Sequence, residues 1–412
     1  MERSILKNIF AMFSIQGVNY LIPLITVPYL VRVLGLDGFG RYSIILAVIQ
    51  YLVIFTDYGF NLSASRQIAL NIENKKKVSD IFSAIISCKI IIALFSFAVL
   101  LLLVFNNEHY KDDFWLFLNG MGIVVGTSFF PIWLFQGYER MHWIALSNLL
   151  AKLSGLMLIF VFVHNKDDLN FAIMVQSLTG LIAAGLAFTK ARIGGFIYFT
   201  LPALNEIKKQ LKLGWSIFLS TFFVSMYTTS IPLILGFNAG AEAVGIYNAA
   251  DKLKQALQGV IGPVSQAIYP RSNRLIVESI KSGVMFVKKI SFFLCGFMFI
   301  GSVTCYFFAG NIISLAFGNS HDGAVDVLKI LIWIPSIVAI ANMLGVQILL
   351  PLGLNKIFGL TYVIVGSLGL PLMYFASLFY SYIGVSYAAL LIEIVITFIF
   401  FVIVKGKVRG NM

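Results

Sequence analysis

Apolar runs long enough to cross a bilayer recur from one end of this chain to the other. A hydrocarbon core about 30 Å thick needs roughly 20 consecutive apolar residues in a helix, and several runs here reach that length. Charged residues make up 12% of the 412 positions and hydrophobic ones 59%, whereas a soluble chain carries about 25% charged residues. So little polar side chain cannot cover a water-soluble globule. A transmembrane barrel would show alternating segments of about ten residues, a pattern the sequence lacks. The chain is expected to be an all-α integral membrane protein.

Hydropathy and turn signals place twelve spans at approximately 8–34, 40–65, 79–105, 114–136, 143–163, 169–189, 213–236, 245–269, 287–309, 325–350, 357–377 and 384–404. The first run is too long for a signal core and no small-residue cleavage site follows it, so it is expected to stay as a span. Connections are short, which leaves no room for a soluble catalytic domain. Cys88, Cys295 and Cys305 lie in apolar runs and read as small packing residues. The scattered histidines suggest no metal site, and no cofactor is called for.

Basic residues cluster on the side that holds both termini, as in Lys75–Lys77, Lys208, Lys209, Lys212, Lys288, Lys289, Lys405 and Lys407. The opposite side holds only Arg32, Arg41, Lys111, Lys166 and Lys329. By the positive-inside rule both termini are expected in the cytoplasm. The net charge of +12 is then mostly a matter of topology, and no nucleic-acid-binding module is visible. Residues 201–214, "LPALNEIKKQLKLG", read as an amphipathic helix on the cytoplasmic membrane surface. They divide the chain into an N-terminal six-helix lobe (1–200), a linker (201–212) and a C-terminal six-helix lobe (213–412).

The two lobes share a weak internal repeat. An offset of 205 residues pairs Gly40 with Gly245, Tyr42 with Tyr247, Gln50 with Gln255, Leu52 with Leu257 and Arg66 with Arg271. A "Leu-Gly" at 34–35 is matched upstream to the one at 235–236, which implies a loop four residues longer in the second half. Six spans per half give a parallel repeat. Ser43, Gln50, Asp57, Asn61 and Ser65 in span two, and Asn248, Asp251, Gln255, Gly262 and Gln266 in span eight, fall at helical spacing and read as polar stripes turned toward a shared cavity.

Asp57, Lys89, Lys152, Asp251, Lys252, Lys254 and Glu393 fall within spans, where each charge costs a few kcal/mol. Asp251 and Lys254 can pair locally as i,i+3 neighbours or share the stripe. Lys89 and Lys152 line a cavity or pair with Glu393 or Asp57. Lys252 points elsewhere and can snorkel to the membrane edge. Arg32 is a snorkelling anchor or a cavity cation; Arg66 and Arg271 are anchors or the rim of the cavity. Taken together these charges describe a modestly cationic interior that attracts a phosphate or pyrophosphate, with Asp57, Asp251 and Glu393 as candidates for holding a coupling proton or ion.

The run "PYLVRVLGLDGFGRYSIILAVIQYLVIFTDYGFNLSASRQIA" (28–69) resembles Wzx-type O-antigen flippases, polysaccharide transporters of the MOP exporter superfamily. Arg32, Leu34, Gly35, Phe39, Gly40 and Tyr42 carry most of the likeness, with "DYGF" at 57–60 and Arg66. The resemblance implies a V-shaped MATE-like transporter of two lobes in a bacterial inner membrane. It implies that an undecaprenyl-pyrophosphate-linked oligosaccharide moves to the periplasmic leaflet by alternating access driven by a proton or ion gradient. Membrane lipids, an O-antigen polymerase and a chain-length regulator are the partners it suggests. Gln50, Asn61, Gln255 and Gln266 join the lysines and arginines as substrate-facing candidates. A multidrug exporter of the same superfamily is the rival, although it should prefer an acidic cavity. A membrane polymerase or ligase would need a large external loop, and none is present.

Overall fold

The computed structural model describes residues 2–106, 111–198, 200–318 and 321–410, with side chains described from residue 21 onward except at 220, 224, 227 and 408–410. The described residues form helices in this order: α1 (Glu2–Asp57), α2 (Phe60–Ala69), α3 (Lys75–Asn106), α4 (Phe114–Phe129), α5 (Ile132–Gly137), α6 (Met141–Phe162), α7 (Leu169–Ile193), α8 (Leu204–Thr229), α9 (Ile231–Gln258), α10 (Ile261–Glu278), α11 (Ile280–Phe307), α12 (Ala309–Phe317), α13 (Asp322–Leu331), α14 (Ile334–Leu344) and α15 (Asn355–Gly410). A short π-helical segment, Gly345–Leu349, follows α14.

Among the described residues, eight apolar tracts are long enough to cross a membrane. Two of them, Leu21–Ala69 with 49 residues and Asn355–Lys407 with 53, would each be roughly 75–80 Å long if unbroken, more than twice the core of a bilayer. Both are broken, at Gly35 and at Tyr380–Ser381. The second break reverses the chain. A Cβ on Gly369 would meet Ile392, one on Gly384 would overlap the carbonyl of Ala376, and Phe358 stacks on Phe400 at 5.3 Å. Residues equidistant from the break therefore lie side by side. Counting each long tract twice gives ten, and the more polar helices α8 to α10, divided at Gly240, supply two more, which is consistent with twelve spans.

The repeat is written into the backbone. Gly35 (φ 73°, ψ 174°) and Gly240 (φ 84°, ψ 174°) adopt the same left-handed, glycine-requiring conformation at the same offset of 205. The equivalent of Gly35 is thus Gly240 rather than Gly236, and the second hairpin is no longer than the first. Gly236 lies inside helical backbone. Five residues on, Gly40 packs so closely on Ala241 that a Cβ would overlap its carbonyl oxygen, and Gly245 packs in the same way on the carbonyl of Leu36. Because Leu36 and Ala241 are themselves equivalent, the contact is self-complementary, as at a two-fold axis.

By their contacts the residues group into two compact units, 1–41 with 230–412, and 42–229. The boundaries fall at 41/42 and 229/230, not in the 201–212 segment. That segment corrects an expectation. It is no separate surface helix but opens α8, which continues unbroken to Thr229. Leu201 is 94% exposed, yet Ile207 and Leu211 pack on the core formed by Phe60, Ile68, Phe82 and Trp133, and Gln210 is fully buried. Gln210 and Gln67 exchange amide hydrogen bonds of 3.1 and 2.7 Å, so the amphipathic face binds protein.

In the unit 42–229, α4 and α7 meet through small residues. A Cβ on Gly126 would strike Gly180, and one on Gly122 would strike Ser177. This is the usual device where lipid supplies no hydrophobic drive between helices. In the other unit Gln347 sits fully buried in the π-helical segment. It donates to the Ser265 carbonyl and hydroxyl at 3.0 and 2.9 Å and accepts from Ser272 at 2.7 Å, which ties α10 to the end of α14.

Gly40→Ala and Gly245→Ala are each expected to lower the thermal midpoint of the purified protein, at a cost of about 1–3 kcal/mol or more for forcing a methyl into closed backbone packing. Gly185→Ala, where a Cβ meets nothing within 4 Å, should leave the midpoint unchanged or raise it.

Candidate functional site

A helical break interrupts the first of the two polar stripes read from the sequence. α1 ends at Asp57, Tyr58 and Gly59 take left-handed conformations (φ 43° and 74°), and α2 begins at Phe60. Asp57 and Asn61 therefore lie on different helices. In the second half, Gly259 and Val260 between α9 and α10 keep right-handed helical angles, and the Gly259 N–H still donates to the Gln255 carbonyl at 2.9 Å. No comparable break interrupts the stripe there.

In the unit 42–229 the first break holds a charge pair. The Lys89 ammonium, on α3, is fully buried and donates to Asp57 Oδ1 at 2.7 Å and to the Thr127 carbonyl at 3.4 Å. It also lies 4.6 Å from the centre of the Trp133 ring, an attraction between a cation and the negative ring face. Asp57 remains 36% exposed. A carboxylate at a helix C-terminus is disfavoured by the helix dipole, and Lys89 offsets that. Of the two partners considered for Lys89, Asp57 is the one it meets; Glu393 belongs to the other unit.

In the unit of residues 1–41 and 230–412, four polar side chains of α9 form a chain. Lys254 pairs with Asp251 at 2.6 Å, Gln255 donates to Asp251 at 2.6 Å, and Lys252 donates to Gln255 at 3.2 Å. Lys252 is thus tied to its own helix rather than snorkelling. Glu393, on α15, lies within electrostatic reach of Lys254. Two acids face two lysines, and the cluster is locally neutral.

The remaining candidates divide sharply. The Arg32 guanidinium donates to the Ala316 carbonyl at 2.8 Å and to the Leu315 carbonyl. It caps the C-terminal end of α12, where carbonyls lack partners and a cation is favoured. Arg32 is therefore a structural cap. Lys152 is half-buried and engaged by a neighbour. Gln50 and Gln266 are exposed. Asn61 is partly buried with an oxygen that lacks a donor.

Arg66 and Arg271 stand apart. Arg66, in the last turn of α2, is exposed, and its side chain meets no acidic group among the described residues. Arg271 lies over the Phe286 ring at 4.9 Å with its Nε buried and without an acceptor. The cationic interior expected from the lysines is corrected to this extent: Lys89 and Lys254 are held by acids, and the uncompensated charge sits on the two repeat-equivalent arginines. Trp133, Gln210 and Gln347 were not singled out by sequence reasoning. Only Gln347, a lone amide in a long apolar run, gave a readable signal.

Asp57→Asn should destabilise the protein by up to about 3–5 kcal/mol, because it strands the buried Lys89 charge. The double variant with Lys89→Met should recover most of that loss. Unfolding midpoints of the single and double variants measure the coupling.

Three comparisons bear on the fold and the family. Residues 5–276 match the family described as polysaccharide biosynthesis protein. A protein of Escherichia coli (strain K12), provisionally named an O-antigen transporter, is 34% identical over 406 residues, covering 98% of this chain and 97% of its own. One of Shigella dysenteriae, named in the same way, is 28% identical and covers 87% of this chain and 89% of its own. Among solved structures, the lipid II flippase MurJ in an inward closed conformation superposes with a TM-score of 0.79 at 13% identity, covering 96% of this chain and 87% of its own. An inward-facing multidrug-resistance MATE transporter of the MOP superfamily gives 0.66 at 13% identity, covering 95% and 98%. At that identity the likeness is one of fold.

Proposed function

Because the chain belongs to the polysaccharide biosynthesis protein family, we propose that it is a flippase for a lipid-linked polysaccharide precursor. It carries an undecaprenyl-pyrophosphate-linked O-antigen repeat unit from the cytoplasmic to the periplasmic leaflet of the inner membrane, with both termini in the cytoplasm. It is a transporter and not an enzyme. The observation that carries the reading is the pair Arg66 and Arg271, equivalent under the repeat and without acidic partners among the described residues. A guanidinium that no protein carboxylate neutralises is available to a phosphate, which its planar fork matches in a bidentate manner.

In this reading Arg66, in the unit 42–229, and Arg271, in the other unit, are each available to a phosphate. The break at Tyr58–Gly59 lets the segment that carries Arg66 move relative to the preceding helix. That motion is the local step an alternating-access cycle needs. The pair Asp57–Lys89 adjoins this break. Protonating Asp57 would release Lys89, and the proton gradient would act there.

Loss of the chain from its host should leave repeat units on the lipid carrier in the cytoplasmic leaflet and shorten the surface polysaccharide. Arg66→Gln and Arg271→Gln, at undiminished membrane levels, should each lower restoration of the polysaccharide by about tenfold or more, as expected for one lost charge-assisted phosphate contact, with Arg→Lys partly active. Normal surface polysaccharide in the deletion strain would sink the reading.

A further inference from the structure

A second polar constellation lies in the unit of residues 1–41 and 230–412, away from the charge cluster on α9. It is a cleft of about 590 Å3 lined by Tyr306, Asp326, Lys329, Trp333, Tyr387 and aliphatic side chains. Its walls come from helix ends. Tyr306 is one residue from the end of α11, Asp326 and Lys329 lie on α13, and Tyr387 lies just beyond the reversal at Tyr380–Ser381 in α15. The cleft is therefore at the membrane edge opposite the C-terminus of α15.

The chain is locally built to present these groups. α13 stops at Leu331 and α14 starts at Ile334 with Pro335 in its first turn. A proline there cannot donate to the preceding turn, while Ile332 and Trp333 keep helical backbone angles. Trp333 occupies that step between the two helices. Its ring is held by Tyr306 at 5.8 Å and Phe299 at 6.0 Å. Below it a buried Ser302–Ser336 hydrogen bond of 2.8 Å fixes α11 to α14. Tyr387 is 57% exposed. Lys329 is half-buried, and neither it nor Asp326 makes a hydrogen bond or ion pair with the described residues.

Isolated Trp and Tyr residues at a membrane edge serve as interfacial anchors. Here three aromatic rings line one concavity together with an unengaged donor and an unengaged acceptor. The volume falls in the range of small-molecule sites, about 300–1,000 Å3. One Lys against one Asp leaves no net charge to select a phosphate. Flat negative ring faces suit the C–H face of a pyranose ring, whose hydrogens carry partial positive charge. The ammonium and carboxylate suit its hydroxyls.

We infer that this cleft is a saccharide-binding site, distinct from the arginines assigned to the pyrophosphate. One pyranose stacks on Trp333 and Tyr387 and hydrogen-bonds to Asp326 and Lys329. The inference rests on the flippase reading for the choice of sugar probe and not for the site itself.

The purified full chain in lipid nanodiscs would be titrated with the oligosaccharide released by mild acid from the host's own lipid-linked precursors, and separately with inorganic pyrophosphate. The sugar should bind saturably by calorimetry and change tryptophan fluorescence, with that optical change absent in Trp333→Phe. Tyr387→Ala and Asp326→Asn, both at exposed positions, should weaken sugar binding tenfold or more at an unchanged melting midpoint. No saturable sugar binding, equal binding by those variants, or pyrophosphate displacing the sugar would overturn the inference. Loss of sugar binding in these variants with transport intact would leave the flippase reading standing. A chain that binds sugar in a host with normal surface polysaccharide would remove the flippase reading and keep the site.

Discussion

Backbone lying directly on backbone at Gly40–Ala241 and Gly245–Leu36 is the constraint on which the second-half unit turns. Helices in lipid gain nothing from excluding water, so close approach and dispersion must hold them. Two residues without Cβ atoms allow the two hairpins to meet at their tightest point. Because each glycine touches the equivalent of the other's partner, one local solution serves both halves. The left-handed turns at Gly35 and Gly240 set the distance from turn to contact at the same five residues in each. That fixed register is what makes Arg66 and Arg271 equivalent.

A low-dielectric surrounding dictates what happens to the intramembrane charges. Every lysine left alone there would forfeit its hydration, so acids near by are used up in holding lysines: Asp57 holds Lys89, and Asp251 holds Lys254. Both clusters are locally balanced, and Asp57–Lys89 adjoins the helical break at Tyr58–Gly59. Removing one member of such a pair would strand the other in a low-dielectric surrounding. The arginines escape this pairing. Arg66 lies in the last turn of α2 and is exposed, whereas Arg271 lies in mid-helix and rests on the Phe286 ring; a permanent charge is tolerated at the first because the long side chain reaches a wetter region.

The class of fold could be read directly, because twenty-residue apolar runs admit almost no alternative. The repeat was legible from five identities, but its upstream alignment failed at Gly236. Two "Leu-Gly" pairs looked alike, and only backbone angles reveal that Gly240 does the work of Gly35. The first polar stripe was misread for a related reason. Helical spacing assumes an unbroken helix, and Gly59 does not announce a break in a sequence already rich in glycine. The linker at 201–212 looked amphipathic and is so, yet sequence cannot say whether an apolar face meets lipid or protein; Ile207 and Leu211 meet protein. Pairing of Lys89 was foreseen as one of two outcomes, since the partner depends on which helices touch.

The breaks fall unevenly. Spans two and four leave helical backbone at 58–59 and 130–131, whereas the steps at 259–260 and 332–333 keep right-handed helical angles. An interruption leaves backbone groups without partners, which is tolerable in a membrane only where protein or water satisfies them. Both interruptions lie in the unit 42–229, and they flank one charge pair: Asp57 precedes the first, and Lys89 reaches from α3 to Asp57 and to the Thr127 carbonyl just before the second. Retaining two of them is costly for a chain whose sole task is to fold, and the buried Lys89 offsets part of that cost by giving a carboxylate and a backbone carbonyl beside them a donor.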